Sequence, residues 1–303
     1  MGPVLEQLPE GSRVAVIRLR SLGDCVLTTP ALAVLKAARP DLRVAVVVET
    51  RFFSVFEDNP SVDKILPPSL RALRQWRPVL TLDLHGGPRA RWLALLSGAA
   101  FTATFAGRPH AVLYRIRIPT AQQILGLQRK VHTAEHLASA MFYLGAPTME
   151  IPRACVYAEA VRRERPYAVL HPFATGAGKA WPAAHFVAVA QGLWEQRGLE
   201  PVFIGSASDD FTPFTGFHCL AGASLREVKN LLAGACLFVG NDSGPAHMAA
   251  ALDVPAVVIF GVSDPEIWGP WRARAEVIVA QGPIESVTVA EVLAAAERLG
   301  VAA

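Results

Sequence analysis

The chain has 303 residues, enough for two domains of ordinary size; 52% of its residues are hydrophobic and 18% are charged. This composition allows a large buried core and excludes a disordered, collagen-like or disulfide-dependent protein. The net charge of +3 permits an anionic ligand or a membrane surface as partner without requiring nucleic acid.

Neither a membrane span nor a metal site is expected. The longest uncharged stretch, Trp92 to Gly107, contains polar residues and is shorter than the ~20 apolar residues of a spanning helix. Residues 1–12 lack the apolar segment of a signal peptide. The four cysteines are far apart and form no C-x-x-C pair, which favours a reduced, cytoplasmic setting.

Apolar, β-branched runs alternate with helical patterns in the first half of the chain. A helix is predicted over residues 28–38, with Pro30 in its first turn. Strands are predicted at 13–19, 43–49, 63–66 and 79–84. Near-continuous apolar strands separated by helices are typical of a parallel sheet covered on both faces.

The same alternation restarts after residue 165. Ser224 and Glu227 have the spacing of a capping box, which predicts a helix start. Strands are predicted at 167–171, 201–205, 237–240 and 255–260, and helices at 182–197, 224–234, 245–252 and 288–299. The second half is therefore expected to be another α/β unit.

The predicted fold class is α/β, with two Rossmann-like, doubly wound parallel-sheet domains facing each other across a cleft. The polar, proline- and arginine-rich segment 152–166 is the expected linker between domains 1–151 and 167–303. The terminal helix, 288–299, could pack on its own domain or cross to the first. Ligands of such sheets bind beyond the carboxyl ends of the strands, so functional residues are expected in strand-to-helix loops.

The first such loop contains Ser21, Gly23 and Asp24. Gly23 is expected to permit a tight turn there. Asp24 could simply cap the following helix, or it could place a carboxylate at the cleft floor that accepts a proton from a hydroxyl.

The segment TGAGKAWP, residues 175–182, superficially resembles a phosphate-binding P-loop. That motif requires a glycine where Phe173 stands and a hydroxyl residue where Ala180 stands, so ATP hydrolysis is excluded as an interpretation. What remains is Lys179 ahead of a helix N-terminus, a suitable place for a phosphate group. An exposed loop lysine is the alternative.

The segment VGNDSGPAH, residues 239–247, carries the most information. A strand ends, a small polar turn follows, and the N–H groups of a helix starting near Pro245 could bind an anion, with Ser243 adding a hydroxyl. Asp242 would repel phosphate, so we expect it to cap the helix or to accept hydrogen bonds from sugar hydroxyls. His247 could face the same ligand or be a core histidine.

Two further segments carry weaker signals, and several known motifs are absent from the sequence. DLHGGP, residues 83–88, could contribute to an acceptor site or be a glycine turn, and Asp209 and Asp210 could bind ribose hydroxyls or cap a helix. The sequence contains no G-x-G-x-x-G, no G-x-S-x-G and no metal-ligand spacing. These absences disfavour nicotinamide dehydrogenases, α/β-hydrolases and metal-dependent enzymes.

Several segments together resemble a known family, the bacterial ADP-heptose:lipopolysaccharide heptosyltransferases of glycosyltransferase family 9. They are RLRSLGDCVLTTPAL, DLHGG, LHP followed by GKAWP, and NDSGPAHMAAAL followed by PAVVIFG. The resemblance extends from about Val14 to Leu299 and implies the GT-B fold. It also implies inverting, metal-independent transfer of a heptose from ADP-heptose to a hydroxyl of the lipopolysaccharide inner core, with no cofactor.

The resemblance also implies roles for particular residues. Asp24 corresponds to the general base and Lys179 to the diphosphate contact. Asp209 corresponds to a ribose contact and Ala223 to a neighbour of the adenine, while Ser243 stands where threonine is common. The substrate-binding positions that it implies are Ser21, Gly23, Thr175, Asp209, Ala223, Asp242, Ser243, Gly244 and His247.

The implied partners are a nucleotide-sugar donor and a lipid-linked oligosaccharide acceptor. We therefore expect a cytoplasmic monomer in peripheral contact with the inner-membrane surface. Several arginines could bind acidic core sugars or anionic lipid, or be scattered surface charge: Arg18, Arg20, Arg89, Arg91, Arg108, Arg115 and Arg117. Two alternatives stay open, a related transferase with another nucleotide sugar or acceptor and a non-catalytic nucleotide-binding module.

Overall fold

A computed structural model describes residues 3–176 and 178–301, and it divides the chain into two compact units, Met1–Tyr157 and Ala158–Ala303. The division falls inside the segment 152–166, which the sequence predicts as a linker. Ala177, in the predicted phosphate loop, and the outermost residues of both predicted domains lie outside the described residues.

The first unit is built on a parallel sheet of six strands. They are β1 (Arg13–Ile17), β2 (Arg43–Val47), β3 (Lys64–Leu66), β4 (Leu80–Asp83), β5 (Phe101–Phe105) and β6 (Ile116–Ile118). Their order is β3-β2-β1-β4-β5-β6, so the chain reverses its winding direction between β1 and β4. Such a reversal is the point at which doubly wound sheets bind ligands.

Helices cover the first sheet. They are α1 (Val4–Gln7), α2 (Leu22–Ala38), α3 (Phe53–Phe56), α4 (Leu70–Trp76), α5 (Pro88–Leu95), α6 (Ala121–Leu125) and α7 (Thr133–Leu144). A buried cluster joins strand residues such as Ile17 to Leu73 of α4, Leu93 of α5 and Tyr114. Because their side chains share this cluster, α4, α5 and the segment around Tyr114 cover the same face of the sheet.

Helix α2 begins six residues earlier than the sequence predicts, so Pro30 lies inside the helix and not in its first turn. A proline has no N–H to donate to the carbonyl four residues before it, here that of Val26. The Thr29 hydroxyl donates to this carbonyl instead, at 2.7 Å, and also accepts the Cys155 N–H at 3.0 Å. The helix therefore continues through Pro30.

The second unit repeats the architecture. Its strands are β7 (Tyr167–His171), β8 (Glu200–Gly205), β9 (His218–Ala221), β10 (Leu237–Asn241), β11 (Ala256–Phe260) and β12 (Ala275–Val279). All pairings are parallel and the order is β12-β11-β10-β7-β8-β9, with the reversal between β7 and β10. The predicted class, two Rossmann-like doubly wound parallel sheets, is confirmed.

Five helices accompany the second sheet: α8 (Ala183–Arg197), α9 (Leu225–Ala233), α10 (Gly244–Ala251), α11 (Pro265–Trp268) and α12 (Val289–Arg298). The predicted capping box of α9 is confirmed, because Ser224 and Glu227 exchange side-chain and backbone hydrogen bonds. The terminal helix α12 packs against α8, β11 and β12 of its own unit. Among the described residues, none of the helices combines the length and apolar character needed to cross a membrane.

Candidate functional site

The loops that follow the strands at the two reversal points contain most of the predicted site residues. In the first unit these are the loops after β1 and β4, and in the second unit those after β7 and β10. Because the strands are parallel, their carboxyl ends lie along one edge of each sheet.

In the first unit, Asp24 is held by two neighbours. Arg18, which follows β1 and is buried, forms an ion pair with Asp24 Oδ1. The Ser21 hydroxyl donates to Asp24 Oδ2 at 3.0 Å, and Arg18 Nη1 donates to the Leu84 carbonyl after β4 at 2.6 Å. The Asp24 side chain stays 22% exposed, so its carboxylate can be reached from solvent.

Two sequence-based expectations about this loop are wrong. Since α2 begins at Leu22, Gly23 lies in the first helical turn and is not the pivot of a tight turn. The N-cap is Ser21, so Asp24 does not cap the helix. As a carboxylate in the first turn, Asp24 still gains from the positive end of the helix dipole.

The loop after β4 has a structural acid and a half-buried histidine. Asp83 is 1% exposed; its Oδ1 accepts the N–H groups of His85 and Gly86, and its Oδ2 accepts the Tyr114 hydroxyl at 2.5 Å. Asp83 therefore shapes the turn, and both of its carboxylate oxygens are engaged in hydrogen bonds within the protein. Burial and, next, the charge of Arg18 lower the pKa of His85, which keeps this ring neutral near pH 7.

A second basic side chain extends this edge of the first unit. Arg108 passes directly against Gly86, whose φ is +79°, with its Cδ 2.7 Å from the place where a Cβ would stand. His136 of α7 stacks on Phe105 with ring centroids 3.9 Å apart. Burial, together with the charges of Arg108 and Arg18, lowers the pKa of His136 to about 4. Positive charge thus dominates beside Asp24.

In the second unit, Lys179 and Asp242 form an ion pair, with Lys179 Nζ 3.0 Å from Asp242 Oδ2. The lysine side chain is 32% exposed and the aspartate 10%. The expectation that Asp242 caps α10 is wrong, because the N-cap is Ser243. Asp242 instead holds the lysine of one loop beside the helix that starts after the neighbouring strand.

The hydroxyl of Ser243 is turned toward β7. Its Oγ makes no capping bond and lies 3.1 Å from His171 Nδ1. Burial of the ring lowers the pKa of His171 to about 4, so the imidazole is neutral at physiological pH. Gly244 is the first residue of α10, and its N–H has no acceptor within the helix. Pro245 has no N–H, and the N–H groups of Ala246 and His247 donate to the Ser243 carbonyl, so Gly244 is the first-turn donor that can reach a ligand. Lys179, Ser243 and this helix start therefore offer several donors at one place.

Asn241, at the end of β10, links the two loops of the second unit. It is fully buried; its Oδ1 accepts the Trp181 N–H at 3.1 Å, and its Nδ2 donates to the Pro172 carbonyl at 2.8 Å. Sequence reasoning did not select this residue. The one available signal was a polar amide at the carboxyl end of a buried strand.

The remaining predicted residues of the second unit lie on nearby loops. Asp209 Oδ2 accepts the Ser206 N–H at 2.7 Å and so closes the turn after β8. The loop that carries Ala223 is tied to that turn by the Gly222 N–H, which donates to the Gly205 carbonyl at 2.9 Å. Thr175 is exposed on the loop of Lys179, and His247 is 6% exposed within α10.

No group of three or more His, Cys, Asp or Glu side chains with a metal-binding arrangement occurs within residues 3–176 and 178–301. The Cys25 thiol is buried behind Arg18, and burial raises its pKa to about 12, so it is a poor nucleophile.

The chain is similar to characterised proteins over most of its length. Residues 71–291 match the family model described as glycosyltransferase family 9 (heptosyltransferase). Lipopolysaccharide heptosyltransferase 1 of Pseudomonas aeruginosa is 28% identical over 291 residues, which cover 86% of this chain and 81% of that protein.

Solved structures share the fold. A family 9 glycosyltransferase from Veillonella parvula DSM 2008 has a TM-score of 0.83 at 21% identity, covering 95% of this chain and 97% of that one. Escherichia coli heptosyltransferase WaaC, solved with ADP, has a TM-score of 0.79 at 21% identity, covering 95% and 99%. WaaC was also solved with ADP-2-deoxy-2-fluoro heptose.

The family match covers well over half of the chain, and the two doubly wound sheets agree with these structures and with the GT-B fold that the sequence motifs implied. The chain belongs to glycosyltransferase family 9, the heptosyltransferase family, and is a glycosyltransferase enzyme.

Proposed function

We propose that this enzyme transfers a heptose from ADP-heptose to a hydroxyl of the lipopolysaccharide inner core. The observation that carries the proposal is the group of donors at the reversal point of the second sheet: Lys179, Ser243 and the start of α10. The names of the relatives support it, because the Pseudomonas protein is a lipopolysaccharide heptosyltransferase and WaaC was solved with ADP.

The donor site that we propose lies in the second unit. The diphosphate would take hydrogen bonds from Lys179, from the Ser243 hydroxyl and from the Gly244 N–H at the start of α10. An ammonium has three protons to donate, so Lys179 can keep its bond to Asp242 while it binds phosphate. Asp209 and Ala223 would meet the ribose and the adenine, and Thr175 and His247 would border the same pocket.

We propose that these groups stabilise the leaving diphosphate without a metal ion. Positive charge develops on the sugar and negative charge on the departing phosphate in the transition state. A lysine and a helix N-terminus oppose that negative charge directly. No cofactor is needed, because the nucleotide sugar itself supplies the leaving group.

In this mechanism Asp24 is the general base. Its exposed carboxylate would accept the proton of the acceptor hydroxyl as the oxygen attacks the anomeric carbon, and this direct displacement inverts the configuration. Ser21 and Arg18 hold the carboxylate, each through one of its oxygens. Gly23, next to Asp24 in the first turn of α2, would adjoin the acceptor.

The acceptor is lipid-linked in this proposal. The first unit, residues 1–151 of the predicted division, would bind the acceptor, and residues 167–303 the donor. The protein would act as a cytoplasmic monomer in contact with the inner-membrane surface, with no nucleic acid partner.

A nucleotide panel tests the donor assignment. We expect calorimetry to show tighter binding of ADP than of UDP, GDP or CDP, and to show the same ADP affinity with EDTA present. Preference for UDP would replace ADP-heptose by another nucleotide sugar. Tight ADP binding without transfer to any lipopolysaccharide core acceptor would favour a binding module.

A further inference from the structure

The net positive charge of this chain comes from one segment of the first unit. From Lys64 to Ala134 the sequence has eleven Lys and Arg residues and a single acid, Asp83. The formal charge of this segment is +10, and because the whole chain has +3, the other residues together carry −7. Asp83 is 1% exposed and saturated with hydrogen bonds, so it does not offset the positive charge at the surface.

Much of this charge lies on one face of the first sheet. Leu73 of α4, Leu93 of α5 and Tyr114 pack into the same buried cluster, so the outer sides of these elements share a face. Their outward residues include five exposed arginines: Arg71, Arg74, Arg77, Arg89 and Arg115. We call residues 70–77, 88–96 and 106–117 the basic face.

Large apolar side chains stand among these arginines. On α5 and the residue that ends it, Trp92 is 54% exposed and Leu96 is 44% exposed; four residues apart, they lie on one side of the helix. In the segment between β5 and β6, Val112 is 75% exposed and Leu113 is 53% exposed.

Hydrogen bonds fix the arginines beside these apolar groups. Arg74 Nε donates to the Leu96 carbonyl at 2.8 Å, which ties α4 to the end of α5. Arg115 Nη1 donates to the Ala100 carbonyl at 3.0 Å, and its guanidinium lies 5.2 Å from the centroid of the Phe101 ring. Basic and apolar side chains therefore lie together on the basic face.

We propose that the basic face docks on the surface of an anionic lipid bilayer. Guanidinium groups are attracted to acidic headgroups, while Trp92, Leu96, Val112 and Leu113 can enter the headgroup and acyl boundary. Nucleic acid offers phosphate but gives exposed aliphatic side chains nothing apolar to enter. The inference rests on the proposed lipid-linked acceptor, since docking of the first unit would hold the enzyme where that acceptor lies.

Vesicle flotation with the full chain tests this surface. We expect binding to vesicles of phosphatidylethanolamine and phosphatidylglycerol, no binding to pure phosphatidylcholine, and release as salt is raised, because screening shortens the reach of the arginine charges. The Val112→Ser, Leu113→Ser variant should bind at least tenfold more weakly. Each arginine near a bilayer contributes roughly a fivefold change in affinity, so the Arg71→Gln, Arg77→Gln variant should bind about 25-fold more weakly.

Matched controls lie on the second unit. Val262→Ser removes an equally exposed valine, 73% exposed, and Arg162→Gln, Arg226→Gln removes two exposed arginines; both variants should float like the parent protein. Equal losses in the control variants, or full binding by the basic-face variants, would overturn the proposal.

The outcome is separable from the proposed function. ADP affinity and heptose transfer to a delipidated, water-soluble acceptor should be unchanged in the basic-face variants, which also shows that they fold. If the parent enzyme binds vesicles but transfers no heptose, the docking surface is supported and the proposed function is refuted. If the enzyme transfers heptose to the soluble acceptor but does not bind vesicles, only the proposed docking surface is refuted.

Discussion

Replacement of Asn241 by alanine tests how the donor loops are held in place. The side chain is fully buried and satisfies two main-chain groups, the Trp181 N–H and the Pro172 carbonyl. Alanine leaves both groups buried without these partners, and each such group costs ~1–3 kcal/mol. We therefore expect the segment 172–181 to lose local stability, and ADP to bind more weakly because Lys179 lies on this segment.

Hydrogen exchange measured by mass spectrometry reads this change directly. The two groups together correspond to a local loss of ~2–6 kcal/mol, and therefore to exchange through local opening that is faster by roughly 30-fold or more in peptides spanning 172–181. The control is Asn59→Ala, another buried asparagine, whose Oδ1 accepts the Ser61 N–H within its own turn. It should leave exchange at 172–181 unchanged. Unchanged exchange in the Asn241→Ala variant would refute the role given to this side chain.

Three further predictions concern other groups. Lys179→Ala should weaken ADP binding by about 10–150-fold, because a charge-assisted hydrogen bond contributes ~1.5–3 kcal/mol. If calorimetry shows the same ADP affinity for the variant and the parent, Lys179 does not contact the diphosphate. Burial lowers the pKa of His171 and His136 to about 4, whereas in the unfolded chain these histidines titrate near 6.5. Between these two pH values the unfolded chain binds more protons than the folded protein, so the melting temperature should decrease as the pH is lowered from about 6.5 to 4. A variant with glutamine at both histidines should show a flatter calorimetric profile, whereas parallel profiles would contradict the assignment. Thr29→Val should destabilise the protein by ~1–3 kcal/mol, because the carbonyl opposite the helix proline loses its donor. Thr28→Val should cost less in the same thermal unfolding assay, since the carbonyl that the Thr28 hydroxyl contacts also has a helical N–H; equal losses would argue against the account of the proline.

Elements with strong local signals were predicted from the sequence. Strand β7 occupies the predicted residues 167–171, and the capping box at Ser224 and Glu227 places the start of α9. Strands β5, β6, β9 and β12 were not predicted. Their residues are partly exposed or polar, so they lack the continuous apolar runs by which buried parallel strands are recognised.

The start of α2 shows where local rules mislead. Pro30 is well suited to a first helical turn, and the sequence offered no sign that a threonine hydroxyl would replace its missing N–H. The early start changes the site, because Gly23 and Asp24 become helical residues and Ser21 the cap.

In the donor region, the loops could be selected from the sequence but their internal contacts could not. Lys179 and Asp242 were each identified, yet the ion pair between them joins residues 63 positions apart in the chain. Asn241 contacts Trp181 and Pro172, which are 60 and 69 positions away. Such pairs become neighbours only when β7 and β10 pair in the sheet, a consequence of topology and not of local pattern.

The most direct test of the account is the Asp24→Asn variant, assayed for heptose transfer from ADP-heptose and for ADP affinity. We predict an affinity within about twofold of the parent value and transfer slower by ~10²–10⁴, the usual contribution of a general base. Ser21→Ala, which removes the hydroxyl bonded to Oδ2 but keeps the carboxylate, should lose far less. Transfer at the parent rate by a folded Asp24→Asn enzyme would contradict the mechanism.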